Sequence, residues 1–399
     1  MVKFNVVREV NEIKNQISYS KNIGFFFGAG SSTALGIPNI AQLTEAIKKS
    51  LTGDYLKYFE EIKTDLESNC PDKKINIEDI LNQIRRIRDI TYEHKERAYL
   101  SINGEEAKYL DLKICELILQ KISEEEEKVS LDVTKKFLAW FSMQNKDTSK
   151  EIFTTNYDMI LEKSLELSEI PYFDGFVGSF EPFFWQESID TFVGNNDLTK
   201  NWVRLWKIHG SLNWFWKTNM DNGTLKIIRG DRSKTSLSQK NELVIYPSRE
   251  KYISSKKQPF VAYFDRLKNY LLNGELLFIF SGYSFSDQHI NELIFNCLRQ
   301  NNRFFCLIFF YNDSEVEKFF ELSLPCLNLN VFGPTKAIIN GSIGELEISP
   351  EELKDSENCS KFWDVSGNYL SLGDFNRLTE FLISTSVNKS SFGDTSDGK

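Results

Sequence analysis

Apolar positions along the chain follow two periods, and the changes between them divide it into segments. Over residues 6–17, Val6, Val7, Val10, Ile13 and Ile17 recur at helical spacing and predict a helix. It leads into an unbroken apolar run, Ile23–Phe27, that reads as a strand buried on both faces. Gly28, Gly30, Ser31 and Ser32 follow, and then Gly36, Ile37 and Pro38 open an amphipathic segment at 42–51. From 55 to 150 no strand-like run occurs. Instead Ile77, Ile80, Leu81, Ile84 and Ile87 mark one helix face with Asn76 as its cap, and Leu110, Ile114, Leu117 and Ile118 mark another. This block reads as a helical insertion, its acidic run 124–127 being a solvated face or turn.

Strand patterns resume at Ile152-Phe153, 204–208, 276–280, 303–310 and 327–332, with helical periods at 159–167, 260–272 and 287–298 between them. Residues 171–196 are aromatic without a clean period and read as a packed loop. Asp221-Asn222-Gly223 is a hairpin signal between the short runs 225–228 and 243–246 and the preceding Trp214-Phe215-Trp216, so a small β region is expected there. Alternating strands and helices predict an α/β fold with a Rossmann-like parallel sheet. The division expected is 1–54 for the first part of the core, 55–150 for the helical insertion and 151–340 for the rest of the core, with a β insertion near 212–250. Residues 341–399 are expected to be a polar extension, its tail from 390 disordered.

Composition narrows the function more than the fold. In 399 residues, 41% hydrophobic with 32 Phe, there is material for a sizeable core plus an insertion. A net charge of −9 argues against a sequence-independent nucleic-acid surface. Cys70, Cys115, Cys297, Cys306, Cys326 and Cys359 are scattered, with no C-x-x-C pair, which gives neither a zinc site nor a disulfide framework. With no signal-peptide pattern at the start and no apolar run long enough for a bilayer, a soluble cytoplasmic protein is expected.

Strand, glycine turn and helix start is the arrangement that aims backbone N–H groups at a phosphate, and Ser31 and Ser32 add hydroxyls. The dehydrogenase fingerprint does not fit, because Thr33 stands at the third glycine position and no acidic residue closes a second strand about 20 residues on. There is no P-loop. Alone, the turn reads equally as a tight connection without a ligand.

Gly28-Ala29-Gly30 with Ser32, followed by Gly36-Ile37-Pro38, resembles the first signature of the sirtuin family. Three further motifs stand in the family's order. Thr154-Thr155-Asn156-Tyr157-Asp158 resembles Thr-Gln-Asn-Ile-Asp, His209-Gly210 matches His-Gly, and Gly282-Tyr283-Ser284 resembles Gly-Thr-Ser. The resemblance implies a sirtuin-type sheet with NAD at the carboxyl ends of its strands. The pyrophosphate would lie on Gly28, Ala29, Gly30, Ser31 and Ser32, and the nicotinamide ribose between Asn156 and His209. Gly36, Ile37, Pro38, Thr155, Asp158, Gly282, Tyr283 and Ser284 would line the site, and Asn312 would meet the adenine-side ribose. Asn156 would orient ribose and water. His209 would take a proton as the sugar carbon becomes cation-like, as a histidine can near neutrality. From the residues alone, Asn156 and Asp158 serve equally as caps for the helix near Met159. The same holds for Ser284 and Asp287 on the helix to Leu298, where capping is the preferred role of Asp287. His94 and His289 read as structural.

The departures carry information as well. Asn39-Ile40-Ala41 stands where sirtuin deacylases have Asp-Phe-Arg, Thr155 replaces Gln, Tyr283 replaces Thr, and the β region replaces the zinc module. Together these resemble the zinc-free sirtuin-like effectors of bacterial anti-phage systems, which hydrolyse NAD to nicotinamide and ADP-ribose. The architecture is similar to the subunit that assembles with a HerA-type ATPase. The resemblance therefore implies an NAD glycohydrolase without zinc, a homo-oligomer and such an ATPase partner. The alternatives are an NAD-dependent protein deacylase or ADP-ribosyltransferase, and a non-catalytic NAD or ADP-ribose sensor. Asn156 and His209 are expected to stand outside the packed core, so that removing either leaves stability almost unchanged.

Overall fold

The computed structural model describes residues 2–71, 73–144, 148–190, 201–218, 225–231, 241–245, 258–323, 326–349, 351–352 and 361–387. The hairpin turn expected at Asp221-Asn222-Gly223, Cys359 and the tail from 390 lie outside them. Strand Ile23–Phe27 is buried along its whole length and sits inside a 10-stranded sheet. On one side of it come Leu276–Ser281, Phe304–Phe309 and Leu329–Phe332; on the other come Lys150–Thr154, Val203–Lys207 and Tyr172–Phe173. All these neighbours pair in parallel. The chain fills one side and then the other, so the strand order reverses beside Ile23–Phe27. The expected α/β, Rossmann-like architecture is the one adopted.

Alternation along the strands separates two cores, as the pleat requires. Phe26 faces the helices Phe260–Leu272, Gln288–Gln300 and Asp313–Ser323. Phe25 and Phe27 face Val6–Tyr19, Asp132–Ser142 and Phe375–Val387. A third core joins the helices Ile40–Ser50, Gly53–Asn69, Ile77–Thr91 and Gly104–Glu126. It is closed by one face of a second, 5-stranded sheet in the order Asn241–Ile245, Gly210–Thr218, Leu225–Arg229, Phe183–Phe184, Phe176–Val177. Leu243, Ile245 and Ile228 turn toward the insertion, whereas Val244, Ile227 and Trp214 turn toward the main core. The small sheet is the layer between the two.

Three expectations change. Asp132–Ser142, counted within the 55–150 block, packs on the main sheet, because Phe137 and Phe141 meet Phe25 edge-on. Residues beyond 340 are not merely an extension. Ser342–Glu347 pairs in parallel with Val2–Asn5, a strand absent from the sequence reading, and Leu372, Phe375, Leu378 and Phe381 are buried in the core. The stretch expected to be a packed loop contains the short strands Tyr172–Phe173, Phe176–Val177 and Phe183–Phe184. No helix among the described residues is long and apolar enough to cross a membrane.

Candidate active site

Register places one row of residues across the sheet: Phe309 opposite Ser281, Ser281 opposite Phe27, Phe27 opposite Thr154, and Thr154 opposite Lys207. Each motif begins in this row or just beyond it. The four motifs therefore share the carboxyl end of the sheet beside the point of strand reversal, where ligands of open α/β sheets bind.

The glycines close two turns onto each other. Gly28 N–H donates to Ser281 O at 3.0 Å and Gly30 N–H to Gly282 O at 2.8 Å. Gly282 has φ +66°, and a Cβ there would run into the Ser31 amide nitrogen. These N–H groups are engaged inside the protein, so the glycines act here through close approach of backbone. Ala29, at the start of the short helix Ala29–Thr33, is exposed.

Beneath the turn lies a buried polar network. Asn156 Nδ2 reaches Gly28 O at 3.0 Å, Ser31 Oγ at 3.1 Å and Ser32 Oγ at 2.8 Å. A carbonyl can only accept, so the amide must present its nitrogen to the turn and its oxygen away from it. Ser32 Oγ donates to Asp158 Oδ2 at 2.7 Å, while Asp158 Oδ1 accepts from Ile160 N–H at 3.2 Å. Asp158 thus holds the first amide of the helix Ile160–Leu167, whose cap position is Met159, and anchors the turn at once. Lys207 Nζ donates to the main-chain oxygen of Asp158 and to Glu162 Oε1, the latter at 2.8 Å. Burial pushes the carboxyls of Asp158 and Glu162 up, and Lys207 opposes it in both.

His209 stands two residues past the row on the strand neighbouring that of Asn156. Its Nε2 lies 3.1 Å from Asp287 Oδ2. The other oxygen of Asp287 accepts from His289 and Ile290 N–H, the expected cap. Burial raises the Asp287 carboxyl, but the His209 bond and charge, with the Ile290 and His289 amides, more than offset this and hold it below its ordinary value. An ionised carboxylate only accepts, so Nε2 carries the hydrogen, and in the neutral ring Nδ1 is the atom able to take a proton.

The remaining candidates scatter. Tyr283 is a core residue, its ring 4.7 Å from those of Phe26 and Phe285 and its hydroxyl on Asn291 Oδ1. Ser284 is exposed and meets Ser286 at 2.9 Å. Thr155 donates its N–H to Phe27 O, tying the strand ends together. Ile37 is buried in the insertion's core, between exposed Gly36 and half-buried Pro38. Asn312 is exposed, two strands from the glycine turn, and its carbonyl accepts from Glu315 N–H. Among the described residues no group of three or more His, Cys, Asp and Glu could hold a metal ion. Sequence reasoning missed Lys207, Glu162 and the His209–Asp287 pair. A lysine inside the apolar run 203–208 was the available signal for the first.

A family model described as a SIR2-like domain matches residues 150–322. Over that span the chain is similar to SIR2-like domains. The matched span begins at the strand that delivers Asn156 and takes in His209, Gly282 and Asp287. Two solved structures are similar to the chain. One is described as "The Structural basis of Sirtuin Substrate Affinity", with 12% identity, 75% of this chain and 86% of that chain covered, and a TM-score of 0.35. The other is Sir2Tm bound to a propionylated peptide, with 12% identity, the same coverages and a TM-score of 0.33. No curated protein matches the chain.

Proposed function

We propose that this protein is an NAD glycohydrolase that cleaves NAD to nicotinamide and ADP-ribose. A SIR2-like domain points to NAD-related chemistry. The observation that carries the finer reading is that Asn156 and His209 each follow by two residues the ends, Thr154 and Lys207, of two directly paired strands, with His209 bonded to Asp287. NAD is the substrate; its pyrophosphate lies over the 28–32 turn and its nicotinamide ribose between Asn156 and His209. The bond from ribose C1′ to the nicotinamide nitrogen breaks, and nicotinamide leaves with the electron pair. Water adds to C1′ and gives its proton to Nδ1 of His209, while the outward oxygen of Asn156 holds the water or a ribose hydroxyl. Asn39-Ile40-Ala41, in place of the motif whose Phe shields that carbon in sirtuin deacylases, leaves it open to water.

The same reading makes the protein an effector of bacterial anti-phage defence through NAD depletion, cytoplasmic, without zinc, homo-oligomeric and partnered by a HerA-type ATPase. The helical insertion then acts as gate to the crevice. The test is incubation with NAD, with and without an acetylated peptide, followed by separation of nicotinamide, ADP-ribose and O-acyl-ADP-ribose. Equal amounts of nicotinamide and ADP-ribose are expected without peptide, and loss of both in Asn156→Ala and His209→Ala. O-acyl-ADP-ribose formed only with peptide would make the protein a deacylase, and NAD left intact under all conditions would make it a sensor.

A further inference from the structure

The acidic run 124–127, expected as a solvated face or turn, contains one residue that is not solvated. Glu126 ends the helix Gly104–Glu126, and its side chain has no exposure, whereas Glu127 beside it is exposed. Taking a carboxylate out of water is costly unless its oxygens find donors. Glu126 Oε1 accepts from Met159 N–H at 2.8 Å, and Oε2 accepts from Lys163 Nζ at 2.8 Å. Both donors belong to the segment that follows Asn156. Met159 is the cap position of the helix Ile160–Leu167, and Lys163 lies one turn on. Apolar contacts run the same way, since Ile160 is buried in the insertion's core and Tyr157 packs against that core. From the other side, Leu212 N–H donates to Tyr157 O at 3.0 Å and Ser211 Oγ to Met159 Sδ at 3.4 Å. The turn that presents Asn156 and Asp158 is thus gripped between the strand that follows His209 and the end of one insertion helix.

We infer that Glu126 is a positioning residue for Asn156, fixing the Met159 amide and thereby the insertion side of the turn on which Asn156 stands. The inference rests on the NAD-cleavage reading for its catalytic meaning, since Asn156 holds the water or a ribose hydroxyl there. Asn156 and Met159 are three residues apart, at most about 11 Å of chain. The near end of that stretch is pinned by Asn156 N–H on Thr154 Oγ1 at 2.9 Å, and the far end by Glu126. Without the carboxylate the bonds from Leu212 and Lys207 remain, but the side toward the insertion is released. A small shift of a group that orients a reactant is enough to cost about tenfold in rate. An element outside the matched span 150–322 thereby shares in holding one of its candidate reactive residues.

Glu126→Ala removes both acceptors. Glu126→Gln keeps an oxygen for Met159 N–H, and Lys163, whose side chain is 34% exposed, can turn to water. With the full chain and NAD as substrate, kcat per folded molecule is expected to fall about tenfold or more in Glu126→Ala. KM should stay within about twofold, because the 28–32 turn is untouched and the loss falls on the group that orients water. Glu126→Gln should recover most of the rate. Independently of turnover, the side-chain amide signals of Asn156 are followed by NMR, identified by their loss in Asn156→Ala. They are expected to shift in Glu126→Ala and to return toward their parent positions in Glu126→Gln. Lower stability alone changes the folded fraction, not the place of a native signal. Should Glu126→Ala fail to fold, Glu126→Met keeps the buried volume without a strong acceptor and carries the same expectations. Asn156 signals that stay in place in a folded variant lacking the carboxylate overturn the inference, whether or not the protein hydrolyses NAD. An unchanged kcat in that variant, where the parent does hydrolyse NAD, overturns it too, as does a Glu126→Gln variant no better than Glu126→Ala. Moved signals in a protein inert toward NAD keep the positioning role and remove the glycohydrolase reading instead.

Discussion

Asn156 and His209 share one end of the sheet but are held differently, and the difference is measurable. Asn156 is buried and supplies the hydrogen bonds that satisfy Gly28 O and the hydroxyls of Ser31 and Ser32. Alanine there removes Nδ2 from the buried network: Gly28 O keeps the hydroxyl and N–H of Ser31, whereas the oxygens of Ser31 and Ser32 lose their incoming donor, at a cost of about 1–3 kcal/mol. The His209 side chain retains 19% exposure and has one partner, whose carboxylate water can reach. Its replacement by alanine is expected to cost less than about 1 kcal/mol. Urea unfolding of both variants checks this: Asn156→Ala should unfold at clearly lower denaturant than His209→Ala, and equal midpoints would contradict the buried network. The burial of Asn156 departs from the expectation that it stands outside the packed core, and for this residue a loss of stability is expected instead. Its partners are 124 to 128 residues away in sequence, a separation over which no local pattern reports. The motif made the residue visible but not its anchoring.

Elements with strong local periodicity were the ones legible in the chain. Ile77–Thr91 shows its five apolar positions and its Asn76 cap at once, and Ile23–Phe27 is an uninterrupted apolar run closed by glycine. Val2–Asn5 and Ser342–Glu347 are short or solvent-facing strands defined by their pairing, the first with Ser342–Glu347 and the second with Lys336–Ile339 as well, rather than by a strong pattern of their own. Asp132–Ser142 was recognisable as helix but not assignable to a layer, since its apolar face says only that something covers it. Within the insertion, Arg85 and Arg88 both bind buried Asp111, and Arg88 also binds Glu93. Asp111 is raised by burial and lowered by the two guanidiniums, which win. Because its folded value is depressed, its contribution is present above the unfolded pKa of about 3.9 and is lost as pH falls through the folded value. Asp111→Asn removes the shared charge while keeping the volume, and two buried guanidiniums then face a neutral amide. The expected cost is about 3–5 kcal/mol at neutral pH, read by urea unfolding. The difference from the parent protein should shrink when both are measured at pH values below the folded pKa of Asp111. A cost under about 1 kcal/mol at neutral pH would show that water or other groups already carry those charges.

At the scale of the whole molecule the insertion, the small sheet and the main core are stacked, and His209 lies where the last two join. Gly210–Thr218 follows His209 immediately and pairs with Asn241–Ile245, on which Arg85 rests. A displacement of the insertion therefore acts on the strand pair beside the candidate base. An NAD hydrolase left unrestrained would exhaust the cell's cofactor, so the proposed activity requires a resting state of low turnover. Two states that differ in how the insertion sits on the small sheet would meet that requirement. A partner can shift the population only by binding one of them better. Ile90, Tyr92, Leu100 and Tyr109 supply exposed apolar side chains on the insertion, a surface available for such contacts. The proposed homo-oligomer and HerA-type ATPase are therefore expected to raise NAD turnover on assembly. For a shift from about 1% to about 50% active, the partner must favour the active state by close to 3 kcal/mol. The measurement is NAD turnover by the isolated chain and by the assembled complex, with sedimentation of each under the same conditions. Turnover should be low in the isolated chain and rise at least tenfold in the complex. Introducing Ile90→Glu with Tyr92→Ser should abolish both the assembly and the rise, while the unfolding midpoint stays near that of the parent. A monomer that hydrolyses NAD at its full rate, indifferent to any partner, would leave the chemistry in place and remove the control.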